Sequence, residues 1–197
     1  MSGVTHKSGA DRVSRAGGRS VTLIRHTRVA GLAGLCYGRT DVGVAETFAE
    51  EVAAVRAALA GVDGAEGGRR LVFTSPSQRC RRLAAELGAV DVRVDARLME
   101  LDFGAWENRA WADVPRTEID AWARDYVRGA PPGGESFAAL AERVAAFRAA
   151  LPEEENVVVV THAGVIRAWL CGEEGRPLER AFERDVMFGE VVRLGCR

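Results

Sequence analysis

Hydrophobic and polar positions follow two alternating regimes along this chain. Short apolar runs, VTLIR from Val21, LVFT from Leu71 and NVVVV from Asn156, are each followed by a loop or turn and then by apolar residues at helical spacing. The Asn156 to Val160 run has the continuous apolar character of a strand covered on both faces. After the first run and its glycine-rich loop, AETFAEEVAAVRAALAG predicts a helix stopped by Gly61. After the second, a Ser-Pro start opens a helix that Gly88 ends, and AGVIRAWLCG starts a third helix directly after Val160-Thr161-His162. ESFAALAERVAAFRAALP is the plainest amphipathic helix, with Phe137, Leu140, Val144, Phe147 and Leu151 on one face. VDVRVD alternates as a further strand, and GEVVRLG predicts an edge strand near the end.

Strands alternating with helices predict an α/β fold, a three-layer α/β/α sandwich around a largely parallel sheet. From Glu107 to Gly134 the pattern breaks into Trp-rich helical pieces closed by APPGGES, which reads as a small helical cap inserted at about 104–135. A chain of 197 residues suits one domain with a single core, here residues 21–197. Residues 1–20 are polar, basic and rich in Gly and Ser, as expected of a flexible tail in which His6 is solvated.

Composition narrows the function. A formal net charge of -1 gives no global field for nucleic acid or an anionic membrane, so any anion site must be local. No apolar run approaches the roughly 20 residues of a membrane span, and the N-terminal stretch lacks the apolar centre of a secretion signal. The four cysteines, Cys36, Cys80, Cys171 and Cys196, are scattered without metal-binding spacing, which suits a reduced, cytoplasmic protein. None has an arginine at the offset of a C-x5-R phosphatase loop, and neither a P-loop nor a G-x-S-x-G elbow is present.

Two of the three histidines, His26 and His162, stand just after apolar strands, where open α/β sheets collect their ligands. Arg25 precedes His26, Arg28 follows it, and Arg79 enters the helix after Thr74-Ser75-Pro76, so three strand ends are expected to meet at one arginine-lined hollow. Guanidinium forks match phosphate oxygens, and the helix that begins at Ala163 would aim backbone N–H groups at the same anion. Nearby arginines disfavour the imidazolium, leaving His26 a neutral nucleophile for phosphorus. Glu100 is the carboxyl best placed to protonate the departing alkoxide, and a cationic His162 would offset charge on the phosphoryl oxygens.

LIRHT, TSPSQRC, LMELDFGAWE, PPGGES and VVTHAG, in this order, resemble the histidine phosphatase (phosphoglycerate mutase-like) superfamily, over nearly everything after the tail. CYGRTDV and DFGAWENRAW, with the short length, are most similar to its α-ribazole phosphatases. The resemblance implies a phosphohistidine on His26, phosphate contacts from Arg25 and Arg79, His162 as the second pocket histidine and Glu100 as proton donor. It further implies substrate contacts at Thr27, Tyr37 and Gly38, no metal or other cofactor, and a small-molecule phosphate ester as the partner. The expected activity is dephosphorylation of α-ribazole 5′-phosphate, or of the corresponding cobalamin 5′-phosphate. The rivals on the same machinery are a sugar-phosphate phosphatase and a mutase, and a noncatalytic phospho-ligand binder stands further off. Trp106 to Arg128 is expected to form the wall that meets the alcohol part of the substrate. Asn108 departs from the family by replacing a frequent Gly, and Ser77 by replacing a frequent Leu.

Overall fold

The computed structural model describes residues 20–31, 34–60, 70–88, 91–152 and 156–195. The tail expected over residues 1–20 lies outside them except for Ser20, as do Gly61 and Cys196. Five strands form one sheet: β1 (Val21–Arg25), β2 (Arg70–Thr74), β3 (Asp91–Val94), β4 (Asn156–Thr161) and β5 (Val191–Leu194), in the order β3-β2-β4-β1-β5. The first four run parallel and β5 pairs antiparallel to β1, closing that edge as GEVVRLG predicts.

β4 lies between β1 and β2, which explains its unbroken valines. Val157 and Val159 face one core with α4 (Phe137–Ala149) and α5 (Ala163–Glu174), while Val158 and Val160 face another with α1 (Phe48–Ala60) and α2 (Gln78–Ala85). Burying each such side chain contributes about 1.5 to 3 kcal/mol, so the central strand, with Leu23 and Ile24 of β1 beside it, joins the two helical layers. The amphipathic face read for α4 is the buried one, and Ser136 caps that helix by accepting from the Ala139 N–H at 3.2 Å. Parallel pairing leaves the carboxyl ends of β1, β2 and β4 side by side, with Arg25 opposite Thr161 and Thr74 opposite Val160.

Between β3 and α4 the chain makes short 3-10 turns at Ala96–Leu98, Gly104–Trp106 and Trp111–Asp113, then α3 (Arg116–Arg124). Longer helices are prevented by Gly104, by Asn108 and by Pro115 at the start of α3. Asn108 adopts φ 62°, the left-handed region that favours Gly and that Asn tolerates, so its departure from the family pattern preserves the backbone. Trp106 and Val114 pack on Cys36 as a small separate core, joined by Phe103, Ile119 and Trp122. No helix among the described residues is long and apolar enough to cross a membrane.

Candidate active site

Each strand end delivers one piece of the site. The His26 N–H donates to Thr161 O at 2.9 Å and the Ser75 N–H to Val160 O at 3.0 Å, so sheet pairing continues one residue past β1 and β2. The two imidazoles thereby meet edge to face, with ring centroids 5.2 Å apart. Arg79, in the first turn of α2, is wholly buried and donates to Thr40 O at 2.9 Å, Gly38 O at 2.7 Å and His162 Nδ1 at 3.2 Å. Arg25 donates from Nη1 to Val186 O at 2.5 Å and lies over the Phe188 ring, 3.7 Å from its centroid. The Glu100 carboxylate accepts from Leu101 N–H at 3.0 Å and from Gly164 N–H, in the first turn of α5, at 3.2 Å. Arg25, His26, Tyr37, Arg79 and Glu100 all line one cavity.

His26 is almost wholly buried, and this, more than the arginines, pushes its pKa down to about 3; Arg79 adds to the effect and Arg25 adds less. The arginines were the expected cause because burial cannot be read from a strand-end position. Its Nδ1 lies 2.7 Å from Thr27 O, and a carbonyl only accepts, so the ring hydrogen sits on Nδ1 and the Nε2 lone pair is free. Thr27 thus contributes its carbonyl, while its Oγ1 is buried without a partner among the described residues.

The condition for His162 to offset phosphoryl charge, a cationic ring, is not met. Complete burial, then the neighbouring His26 and Arg79, drives its pKa well below the ordinary value. Arg79 donates to Nδ1, so Nε2 carries the hydrogen and donates to Ser75 Oγ at 2.8 Å. Positive charge at the cavity therefore comes from arginine. Burial also pushes the Tyr37 phenol up, keeping it a neutral hydroxyl.

Two further expectations are corrected. Arg28 points away from the cavity, exposed and ion-paired with Glu51 at 3.2 Å. The wall facing the cavity mouth is not Trp106 to Arg128, none of which lines the cavity: Trp106 is buried, donates to Glu118 Oε2 at 2.8 Å and meets Trp122 edge on, while Trp111 is exposed outside it. Leu101, Phe103, Phe137, Arg167 and Phe182 line it instead. Ala163 begins α5 and is buried, and the Gly164 N–H beside it is already engaged by Glu100 rather than free for an anion.

Sequence reasoning missed Glu107. Its carboxylate accepts from the N–H groups of Gly38, Arg39 and Thr40 at 2.9 to 3.0 Å, from the Thr40 hydroxyl and from the Phe103 N–H at 3.2 Å. Burial alone would raise its pKa, but these donors, the Thr40 hydroxyl foremost, bring it below the usual carboxylate value. Gly38 is needed there because a Cβ would stand 1.9 Å from Leu101 O. Phe182 was missed as well; it is 45% exposed at the mouth, with the Arg167 guanidinium 4.8 Å from its centroid.

A family model described as the histidine phosphatase superfamily (branch 1) matches residues 21–197. The chain belongs to the histidine phosphatase superfamily. Over 167 residues it is 30% identical to an adenosylcobalamin/alpha-ribazole phosphatase of Escherichia coli K12, covering 80% of each chain. The solved alpha-ribazole phosphatase of Shigella flexneri superposes with a TM-score of 0.77 at 26% identity, covering 88% of this chain and 89% of that one. A mycobacterial glucosyl-3-phosphoglycerate phosphatase gives 0.72 at 27% identity, covering 89% of each. The α/β fold is that of the superfamily, and the protein is a phosphatase.

Proposed function

We propose that this histidine phosphatase hydrolyses a phosphate monoester of an alcohol with a planar aromatic part, α-ribazole 5′-phosphate or the corresponding cobalamin 5′-phosphate, through a phosphohistidine on His26. The protonation pattern of His26 carries the mechanism: with the hydrogen held on Nδ1 by Thr27 O, Nε2 presents a lone pair at the floor of an arginine-flanked cavity. Nε2 forms the bond to phosphorus while the bond to the ester oxygen breaks. The electron pair stays on that oxygen, and Glu100 supplies its proton. Arg25 and Arg79, each with a buried Nε that has no partner among the described residues, take the phosphoryl oxygens. His162, neutral, orients Arg79 rather than adding charge. Water then bonds to phosphorus as Glu100, now a carboxylate, takes a proton from it, the N–P electron pair returns to Nε2, and phosphate is released.

The aromatic wall of Phe103 and Phe182, backed by the buried Phe137, suits a flat base better than a bare sugar. Residues 104–135 act as the cap that buttresses this wall from behind, within a domain spanning 21–197. A second reading has one observation in its favour: Arg167 at the rim would suit an ester with a second anionic group, such as a phosphoglycerate.

Phosphate release would be measured in EDTA from α-ribazole 5′-phosphate, sugar phosphates and phosphoglycerates, with His26→Ala as control. Preference for α-ribazole 5′-phosphate, with loss of more than about a thousandfold in the variant, is expected. Preference for phosphoglycerates discards the substrate and keeps the mechanism. An active His26→Ala protein discards the mechanism.

A further inference from the structure

Beneath Glu100 lies an ion pair that the chemistry above does not use. Arg143, in the middle of α4, donates from Nη1 to Arg97 O at 2.7 Å and to Met99 O at 2.6 Å, and from Nη2 to Glu100 O at 3.1 Å. One guanidinium thus ties three carbonyls of the segment that ends in the proton donor. Its remaining contacts go to Glu135, Nε to Oε2 at 3.1 Å and Nη2 to Oε1 at 2.5 Å. Glu135 in turn grips the other side of Glu100: its Oε1 accepts from the Asp102 N–H at 3.1 Å, and its own N–H donates to Asp102 O at 3.0 Å. Arg39, on the loop next to Tyr37 and Gly38, reaches Asp102 at 3.2 Å and Glu135 at 3.3 Å. Residues 97–102 have no regular secondary structure past Leu98, so the ladder bonds that fix a strand or helix are missing there. Arg143 and Glu135 supply the substitute, each only about one sixth exposed.

We infer that Arg143 and Glu135 are positioning residues for proton transfer, fixing the backbone on both sides of Glu100 so that its carboxyl stays within reach of the departing ester oxygen. The inference rests on Glu100 being the proton donor. A bidentate fork that also reaches three carbonyls cannot be reproduced by the point charge of a lysine. Although burial pushes the Glu135 carboxyl up, the hydrogen bond and charge of Arg143, helped by Arg39, hold it below the ordinary carboxylate value and keep the pair ionised.

Arg143→Lys and Glu135→Gln separate positioning from bulk stability, because an ester that leaves as a stabilised phenolate needs no proton and an alkyl ester does. The readout is kcat/KM, which ends at departure of the leaving group, for p-nitrophenyl phosphate and for an alkyl phosphate, each compared with Glu100→Gln. For Glu100→Gln we expect a loss of about a hundredfold on the alkyl ester and much less on the aryl ester. Arg143→Lys and Glu135→Gln should each lower the alkyl-to-aryl ratio about tenfold. Equal losses on both esters in these two variants, with a normal bias in Glu100→Gln, would overturn the positioning role alone. Absence of bias in Glu100→Gln itself would overturn Glu100 as the acid and the inference with it. If Arg143→Lys fails to fold, Glu135→Gln decides by the same ratio.

Discussion

Side chains in this cavity act through what holds them, and Gly164 gives the sharpest case. A Cβ at that position would stand 2.3 Å from Glu100 Oε1 and 3.2 Å from its Cδ, while the nearest other atom, Leu140 Cδ1, is at an ordinary 3.5 Å. Gly164→Ala therefore displaces the carboxylate and little else. Alanine is also the better helix former, by up to about 1 kcal/mol in a helix interior. The expected result is at least a tenfold fall in kcat/KM on alkyl esters with a melting temperature unchanged or raised. A variant that melts early and loses aryl and alkyl activity alike would show that the glycine serves packing instead. The protonation of His26 is settled at this same scale, by one carbonyl at 2.7 Å, and sequence could not have found it because any residue at position 27 carries that carbonyl.

At the scale of elements, strand ends were legible and the wall was not. His26, Ser75 and His162 follow apolar runs whose period marks them as strands, and sheet pairing then obliges them to meet. Arg79 was legible for the same reason, being one turn beyond a strand. Phe182 and Arg167 carried no such signal: they come from a 3-10 segment at Leu178–Glu183 and from the second turn of α5, and only folding brings them opposite Phe103. The Trp-rich stretch misled because aromatic residues in a predicted insertion mark a core as readily as a binding wall. Glu107 links both kinds of element, since its carboxylate holds residues 38–40, and the carbonyls of Gly38 and Thr40 in turn hold Arg79. Glu107→Gln removes the charge from a set of charge-assisted bonds worth about 1.5 to 3 kcal/mol each at most, and their loss is partly recovered by the amide. Faster hydrogen exchange at the Arg39 and Thr40 amides and a fall in kcat/KM of roughly tenfold on both ester types are expected. Unchanged exchange at those amides would show that the loop is held elsewhere.

For the whole molecule, placing two neutral histidines at the heart of the fold sets its response to acid. In the unfolded chain each takes up a proton below the ordinary value of 6.5, whereas folded His26 does so only near 3 and His162 also resists well below 6.5. The unfolded state therefore binds more protons throughout that window, and stability must fall as the pH drops from 6.5 toward 3. His26 contributes a slope of up to about 1.4 kcal/mol per pH unit and so costs about 1.6 kcal/mol between pH 6.5 and 5, and His162 adds to this in the same direction. The carboxylates of Asp95, Glu107 and Glu135, held below their ordinary values, act in the same direction but only once the pH reaches the carboxylate range. Acid sensitivity should thus begin near pH 6.5, before these three carboxylates titrate. Denaturant unfolding at pH 7, 6 and 5 measures this directly, and His26→Asn, which has nothing to protonate, should roughly halve the slope. A flat profile down to pH 5 would mean that the folded protein accepts a proton on these rings after all, and the neutral nucleophile at the cavity floor would fall with it.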